Sequence, residues 1–353
     1  MQGGRHESAS RSRKDDGLNA RTPDVLVEVR DLAKVFDVSA PWLNRVVERR
    51  PRQYVHAVDG VSFAISRGRT LALVGESGCG KSTVARLLVG LYKPTRGEVI
   101  FAGTSHEALR ADADKMRAAR RRMQMIFQDP YASLNPRWIV RDIVGEPLTE
   151  HELVKDDAEL EARVAALLES VGLSRADVVK FPHQFSGGQR QRISIARALA
   201  TKPEFLVCDE PTSALDVSVQ AQVLNLMKDL QREQGLTYLF ISHNLAVVHH
   251  VADDVGVMYL GRLVELAEKR TLFEAPRHPY TRMLLDAIPD IGMTGRARTP
   301  VQGEVPNPLN PPTGCAFHPR CPHANDRCKR ERPALAPASG TQVACHAVEE
   351  GRI

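Results

Sequence analysis

The stretch Leu71-Ala72-Leu73-Val74-Gly75-Glu76-Ser77-Gly78-Cys79-Gly80-Lys81-Ser82-Thr83 decides how this chain folds. Glycines at this spacing let backbone N–H groups turn inward around a phosphate chain, while Lys81 reaches the β and γ phosphates and the Ser82 hydroxyl binds Mg²⁺. The apolar residues before the first glycine predict a buried strand, and those after the loop recur at helical spacing. Strand, loop and helix in this order predict a phosphate-binding loop, or P-loop, whose nucleotide-binding residues are Gly75, Ser77, Gly78, Cys79, Gly80, Lys81, Ser82 and Thr83.

The composition is that of an ordinary globular protein. With 353 residues and 42% hydrophobic content, the chain can bury a large core, and its length allows about two domains. The net charge of +5 is mild: it is compatible with binding to anionic lipid surfaces or nucleic acid, but it favours an ordinary solvated basic face. No apolar run approaches the roughly 18 residues of a membrane span, and residues 1–23 are too polar for a secretory signal. We therefore expect a cytoplasmic protein whose membrane role, if any, requires separate membrane subunits.

The chain divides into three predicted regions. Residues 1–23 are polar and predict a disordered tail. Residues 24–290 alternate strand and helix patterns and predict an α/β domain with a helical insertion at about 129–200. Residues 291–353 are rich in Pro, Asn, Arg and Cys and indicate a separate C-terminal module. A basic, irregular segment at 38–53 is interpreted as a surface loop, with contact to acidic lipid headgroups as the alternative.

Two carboxylates directly follow an apolar strand pattern. Asp209 and Glu210 come after Phe205–Cys208, a run typical of a strand buried inside a parallel sheet. Hydrolysis of ATP on a P-loop needs an acid that holds Mg²⁺ and a group that orients the attacking water. We predict that Asp209 holds Mg²⁺, directly or through water, and that Glu210 is the general base.

A second phosphate-binding pattern occurs at Ser186-Gly187-Gly188-Gln189, where a serine and two glycines open a helix. The predicted helical insertion separates this motif from the P-loop, so one chain cannot easily fold both onto the same nucleotide. We therefore expect two ATPase subunits that face each other head to tail.

The order of these motifs resembles that of the ATPases of ABC transporters. The matching motifs span about residues 25–290 and comprise Gly75–Thr83, Gln128, Ser186–Gln189, Asp209–Glu210, Ser213–Asp216 and His243. The resemblance implies a RecA-like P-loop ABC ATPase core of the α/β class, with an antiparallel β subdomain and an α-helical subdomain. It also implies that two cassettes enclose two ATP molecules, each completed by the Ser186–Gln189 motif of the other cassette.

The resemblance also implies roles for individual residues. Gln128 would sense Mg²⁺ and the γ-phosphate and link the site to the transmembrane subunit. His243 would contact the γ-phosphate, and Asp216 would help to couple the two ATP sites. Phe36 matches the aromatic residue that stacks on adenine.

Three stretches resemble the ATPases of dipeptide and oligopeptide importers, namely Arg122–Pro136, Phe185 and His278–Thr281. Two further stretches, Gln189–Arg192 and Cys208–Pro211, resemble the second, F-type ATPase of that family. The implied partners are a paralogous second ABC ATPase, two transmembrane permease subunits and, indirectly, an extracytoplasmic peptide-binding protein. The chain would then lie on the cytoplasmic face of the cell membrane as a peripheral subunit and bind no nucleic acid. Related importers for nickel, glutathione or another small solute, and a soluble ABC ATPase of DNA repair or translation, are the alternatives.

Four cysteines, Cys315, Cys321, Cys328 and Cys345, crowd into the C-terminal region. In a reducing compartment such a group favours metal binding over disulfides, but its spacing does not match the short Cys pairs of common zinc sites. Four thiolates can also hold an iron–sulfur cluster. The resemblance to peptide importers implies a [4Fe-4S] cluster, with zinc and uncoordinated thiols as alternatives.

Overall fold

The computed structural model describes residues 24–48, 51–287 and 303–353. In these ranges the strands are β1 (Val25–Asp37), β2 (Tyr54–Ser66), β3 (Thr70–Val74), β4 (Arg96–Phe101), β5 (Thr104–Ser105), β6 (Met123–Ile126), β7 (Phe205–Asp209), β8 (Thr237–Ile241), β9 (Asp254–Tyr259), β10 (Arg262–Glu268), β11 (Ala336–Ala338) and β12 (Thr341–Val343). The helices are α1 (Trp42–Glu48), α2 (Lys81–Leu88), α3 (His106–Arg110), α4 (Ala113–Arg122), α5 (Pro130–Ser133), α6 (Val140–Glu150), α7 (Asp157–Ser170), α8 (Gly187–Leu199), α9 (Val217–Gln234), α10 (Leu245–Val251), α11 (Lys269–Glu274), α12 (Pro279–Asp286), α13 (Asp326–Arg330) and α14 (His346–Glu349). Short 3₁₀ turns occupy Arg175–Val179, Pro182–Gln184 and His318–Arg320.

The central sheet has the order β11-β12-β10-β9-β3-β8-β7-β6. Strands β9, β3, β8, β7 and β6 run parallel to one another, whereas β10, β12 and β11 join as antiparallel strands. Every residue of β3, β7 and β8 is buried, because both faces of these strands are covered. The continuous apolar patterns seen in the sequence are therefore explained by strands that have no solvent-facing side.

Strand β3 shows how the two faces are filled. Leu71 and Leu73 pack into one hydrophobic cluster, with α2 and the β1–β2 strands, and Ala72 and Val74 pack into another. This alternation follows from the two-residue period of a strand. The P-loop therefore begins at the end of a strand that is fixed by packing on both sides.

A second, antiparallel sheet has the order β2-β1-β4-β5. Its inward residues, among them Leu26, Val29, Val61 and Phe63, pack against α2 and the central sheet. The sheet forms one wall beside the P-loop. The basic segment at 38–53 connects β1 to β2 and contains α1, and Arg49 and Arg50 of that segment lie outside the described residues.

Helices α5 to α8 form the inserted helical region that the sequence predicts. The apolar stripe of α7, which includes Leu160, Val164 and Leu168, is buried against α6 and α8. Gly172, with φ of +72°, follows α7 in the left-handed conformation expected of a residue that ends a helix. This region joins the face of the central sheet that carries Leu206 and Phe240.

The C-terminal region is attached to the central sheet and does not stand apart. Residues of β12 pair with β10, with Val343 opposite Glu265, and β11 pairs with β12. The predicted boundary between 290 and 291 and the predicted tail at 1–23 lie outside the described residues.

Candidate active site

The P-loop lysine is held by its own loop. Lys81 is only 5% exposed, and its Nζ donates to the carbonyl oxygens of Gly75, at 2.7 Å, and Glu76, at 3.0 Å. These bonds satisfy the buried ammonium group. Because α2 begins at Lys81, the loop also presents a helix N-terminus, where an anion is favoured.

Two P-loop glycines are required by close backbone contacts. At Gly75 (φ +148°) a Cβ atom would lie 2.2 Å from the carbonyl oxygen of Met258, and at Gly80 (φ +104°) it would lie 2.1 Å from that of Ala57. A backbone oxygen cannot move aside as the end of a flexible side chain can. The glycine spacing is therefore imposed by the neighbouring strand ends as well as by the phosphate chemistry.

The two oxygens predicted to hold Mg²⁺ lie together. The Ser82 hydroxyl donates to Oδ1 of Asp209 at 2.9 Å, and Asp209 is 2% exposed. Burial raises the pKa of Asp209 above its ordinary value, and the bond from Ser82 opposes that rise. A cation beside this carboxylate would favour its ionised form, and hard oxygen ligands suit Mg²⁺. The residues present therefore fit a magnesium ion.

Glu210 is the meeting point of the predicted catalytic residues. Its Oε2 lies 3.1 Å from Nε2 of Gln128, which donates to it, and 3.1 Å from Nδ1 of His243. Its main chain is in the left-handed region, at φ +47°, and its N–H donates to the carbonyl of Ile241. Such a conformation costs a non-glycine residue of order 1 kcal/mol or more and is typical of functional sites. One carboxylate thus gathers Gln128, which is 82 positions before Glu210 in the chain, and His243, which follows it after the next strand.

A cavity of about 1030 Å³ opens beside these groups. Its lining includes P-loop residues Ser77, Gly78, Gly80, Lys81, Ser82 and Thr83, together with Gln128 and Glu210. Asp209 instead lines a neighbouring cavity of about 820 Å³ that also touches Gln128. The first cavity has room for a nucleoside triphosphate and has polar groups along its base.

The aromatic residue on the wall of the larger cavity is Tyr54. Phe36, the residue predicted to stack on adenine, does not line it: its ring packs edge-on against Tyr92, with ring centroids 5.5 Å apart, and the Lys34 ammonium lies 5.2 Å from its centroid. Neighbouring strand residues point to opposite faces, so Val35 faces the cavity and Phe36 does not. Sequence reasoning missed Tyr54, because Tyr54 follows the long irregular segment 38–53 that separates it from Phe36 in the chain.

The Ser186–Gln189 motif opens α8 at a distance from the larger cavity, whose lining does not include it. Ser186 and Gln189 are exposed and bond reciprocally, each side chain accepting the other residue's N–H. This capping box satisfies two otherwise unpaired helix donors. Asp216 caps the neighbouring α9 in a similar way, and Gly188 packs so closely on Val219 that a Cβ would lie 2.3 Å from its Cγ1.

All six cysteines are free thiols. Burial, with smaller contributions from the thiols of Cys328, Cys345 and Cys321 and opposed by a bond from the Phe317 backbone, raises the pKa of Cys315 to about 11. The Cys315 N–H donates to the Cys328 carbonyl at 2.8 Å, so these two cysteines are neighbours in the fold. In the described ranges, however, no group of three or more His, Cys, Asp or Glu side chains is arranged to hold a metal ion. The predicted [4Fe-4S] cluster therefore has neighbouring thiols but no preformed ligand set.

One contact with the P-loop was not foreseen from the sequence. Arg320, in the C-terminal region, bonds Glu76 through both of its terminal nitrogens, at 2.7 and 3.0 Å. The hydroxyl of Tyr280 accepts the N–H of Glu76 at 2.9 Å. Nothing in the local sequence signals a pair that is 244 positions apart.

A parallel sheet that ends in a P-loop, a buried acid beside the P-loop serine, and a glutamate gathered with Gln and His define a P-loop ATPase of the ATP-binding-cassette class. Residues 58–213 match the family model described as "ABC transporter", and residues 264–328 match that of the "Oligopeptide/dipeptide transporter, C-terminal region". The chain belongs to the ABC transporter family, as an ATP-binding subunit with the C-terminal region of oligopeptide and dipeptide transporters.

Proteins with similar sequences align over nearly the whole chain. The oligopeptide transport ATP-binding protein AppF of Bacillus subtilis is 48% identical over 93% of this chain and 99% of its own length. The dipeptide transport ATP-binding protein DppF of Escherichia coli is 50% identical over 92% of this chain and 95% of its own length. Among solved structures, the dimeric post-hydrolysis state of the ATP-binding cassette MJ0796, bound to ADP and Pi, aligns with a TM-score of 0.60 at 27% identity, covering 69% of this chain and 99% of that one. Within the described ranges, no helix is both long and apolar enough to cross a bilayer.

Proposed function

We propose that this chain is the ATP-hydrolysing subunit of a membrane importer for dipeptides or oligopeptides. The ATPase class is shared with the whole family. Gln128 and His243 both contact one carboxylate oxygen of Glu210, beside the P-loop cavity. This observation supports the proposal that the site hydrolyses ATP.

In the proposed reaction, ATP occupies the larger cavity with its phosphates along the P-loop. Lys81 leaves its two loop carbonyls and binds the β and γ phosphates. Ser82 and Asp209 are the residues that would hold Mg²⁺, which supplies positive charge to the phosphates. Glu210 accepts the proton of the attacking water, while Gln128 and His243 orient that water and the γ-phosphate.

The proposed assembly is a pair of cassettes. Support comes from the exposed Ser186–Gln189 motif, which is outside the cavity of its own P-loop and already presents a helix N-terminus to a partner. We propose that the second cassette is a paralogous ATPase, that Asp216 lies near the interface, and that Tyr54, which lines the cavity, contacts adenine in place of Phe36. Mixing the purified chain with its paralogue should raise ATP turnover well above the sum of the separate rates, and strictly additive rates would contradict the pairing.

The same proposal places the pair on the cytoplasmic face of the membrane through two permease subunits, with an extracytoplasmic binding protein that delivers the peptide. Peptide is favoured over nickel or glutathione because the names of similar proteins specify oligopeptide, dipeptide or di/tripeptide transport. Uptake of labelled dipeptides and oligopeptides by a strain that lacks this chain tests the substrate. Loss of nickel or glutathione uptake with normal peptide uptake would reject it.

We further propose that the C-terminal cysteines bind an iron–sulfur cluster once their side chains rearrange around it. Support comes from the bond of the Cys315 N–H to the Cys328 carbonyl, which brings two of the four cysteines together. Anaerobically purified protein should contain iron and sulfide and show a broad absorbance near roughly 400 nm that Cys321→Ser removes. Bound zinc, or no metal in such a preparation, would reject the cluster.

The hydrolytic role is tested by Glu210→Gln in the assembled transporter, with the partner's own P-loop site inactivated. Removal of a general base is expected to lower turnover by about 10²- to 10⁴-fold while ATP binding remains. Glu233→Gln, on the exposed face of α9, is the matched control and should turn over at the wild-type rate. Wild-type turnover by Glu210→Gln would rule out the assigned base.

A further inference from the structure

The second residue of the P-loop is fixed at each of its polar groups. The Glu76 carbonyl accepts from Lys81, as described above, while its N–H is bound by Tyr280 and its carboxylate by Arg320. Two of these three attachments come from residues later than 279, in the region that matches the peptide-transporter C-terminal model.

The ion pair is sheltered. The Arg320 side chain is 2% exposed and that of Glu76 is 26% exposed. The guanidinium carbon lies 5.8 Å from the ring centroid of Tyr259 and 5.9 Å from that of Phe317, so aromatic rings hold it in place. A bidentate Arg–carboxylate pair in such surroundings fixes both position and orientation, which a single exposed contact does not.

The tyrosine contact is equally constrained. Tyr280 is fully buried, and its ring packs against Tyr259, with centroids 4.7 Å apart, and against Phe317, at 5.4 Å. This packing fixes the position of the Tyr280 hydroxyl that contacts the P-loop. The same C-terminal region also supplies Pro308–Pro312 and Gly314 to the wall of the nucleotide cavity.

We propose that Arg320 and Tyr280 are positioning residues of the ATP site, through which the C-terminal region sets the P-loop geometry and the affinity for nucleotide. The inference rests on the ATPase function and deepens it. The region acts by holding Glu76. This contact fixes the main chain of Gly75 and Glu76, whose carbonyl oxygens position the Lys81 ammonium. Cys321 follows Arg320 directly in the chain, so the cysteine-containing region adjoins this contact.

The test compares Mg²⁺-dependent binding of a fluorescent ATP analogue by the wild-type full chain with three variants, each with its thermal midpoint. Arg320→Gln should raise Kd at least roughly tenfold, since one neutral amide cannot replace two charged bonds. Arg320→Lys keeps the charge but loses the fork, and should give an intermediate Kd. Tyr280→Phe keeps the buried ring and removes only the hydroxyl, and should raise Kd severalfold even if Arg320→Gln fails to fold.

Arg327→Gln is the matched control. Arg327 also lies in the C-terminal region and bonds Glu331, Glu349 and Glu350, but it does not touch the P-loop. It should lower the thermal midpoint slightly and bind the analogue as the wild type does. Wild-type Kd values in folded Arg320→Gln and Tyr280→Phe overturn the inference, as does an equal loss in Arg327→Gln. Failure of the wild-type chain to bind the analogue would instead overturn the ATPase function.

Discussion

His106 makes the stability of this protein sensitive to mild acid. The residue begins α3, is 3% exposed, and its Nε2 is buried with no hydrogen-bond partner within the described ranges. Burial, with a smaller contribution from the Arg110 charge, lowers the pKa of His106 from 6.5 to about 4. The folded state therefore prefers the neutral ring, whereas the unfolded chain binds a proton near pH 6.5.

The sign and size follow from proton linkage. Above pH 6.5 the His106 ring is neutral in both the folded and the unfolded state, so the protein has its full free energy of unfolding. As the pH falls from 6.5 towards 4, the unfolded state gains a proton that the folded state does not, so stability falls. At pH 5 the loss from His106 alone is about 2 kcal/mol, since each pH unit between the two pKa values is worth about 1.4 kcal/mol.

Urea unfolding at pH 7 and pH 5 measures this loss. His106→Gln has no titrating ring, so its free energy of unfolding should fall by about 2 kcal/mol less than that of the wild type between these pH values. The exposed His183 provides the control, and His183→Gln should show the wild-type pH dependence. Parallel losses in wild type and His106→Gln would show that the buried ring does not remain neutral.

Three further changes probe the P-loop, the second motif and the helical region. Gly80→Ala places a methyl group against the Ala57 carbonyl, so we expect the variant to lose binding of a fluorescent ATP analogue while its far-ultraviolet circular dichroism stays unchanged. Normal binding would show that the P-loop can shift to make room for the methyl group. Ser186→Ala removes the cap of α8 and should cost about 1 kcal/mol in urea unfolding, with an unchanged value as the contrary result. Leu168→Ala opens a cavity at a fully buried site in the helical region and should cost about 2–5 kcal/mol, whereas a loss under about 1 kcal/mol would mean that the site collapses.

The sequence carried most of the information on the P-loop core because that information is local. The apolar pattern of Leu71–Val74 predicts a strand that is buried on both faces. Glycines are needed after it because the loop must wrap around phosphate and because neighbouring backbone atoms leave no room for a Cβ. The end of α9 at Gly235, with φ of +66°, is equally local. Such features depend on neighbours within a few residues, and a pattern records them.

Other features depend on partners that are distant in the chain. The pairing of β12 with β10 makes the predicted separate module part of the central sheet. Strand β12, Thr341–Val343, has only three residues, which is too short for a periodic pattern to predict it. The direction of the Phe36 ring depends on strand register, which a bulged β1–β2 pairing makes hard to count. The left-handed backbone conformation of Glu210 could not be predicted from the sequence either, because glutamate seldom adopts that conformation.

The late pairing of β12 with β10 has a consequence for biosynthesis. A ribosome releases β10 well before β12, and during that interval the outer edge of β10 presents unpaired N–H and C=O groups to the cell. Arg320, which fixes the P-loop residue Glu76, also emerges long after the P-loop itself. A nascent chain that stops short of Thr341 would therefore carry both an adhesive sheet edge and a loosely held nucleotide site, and we expect such fragments to depend on chaperones that shield exposed strands.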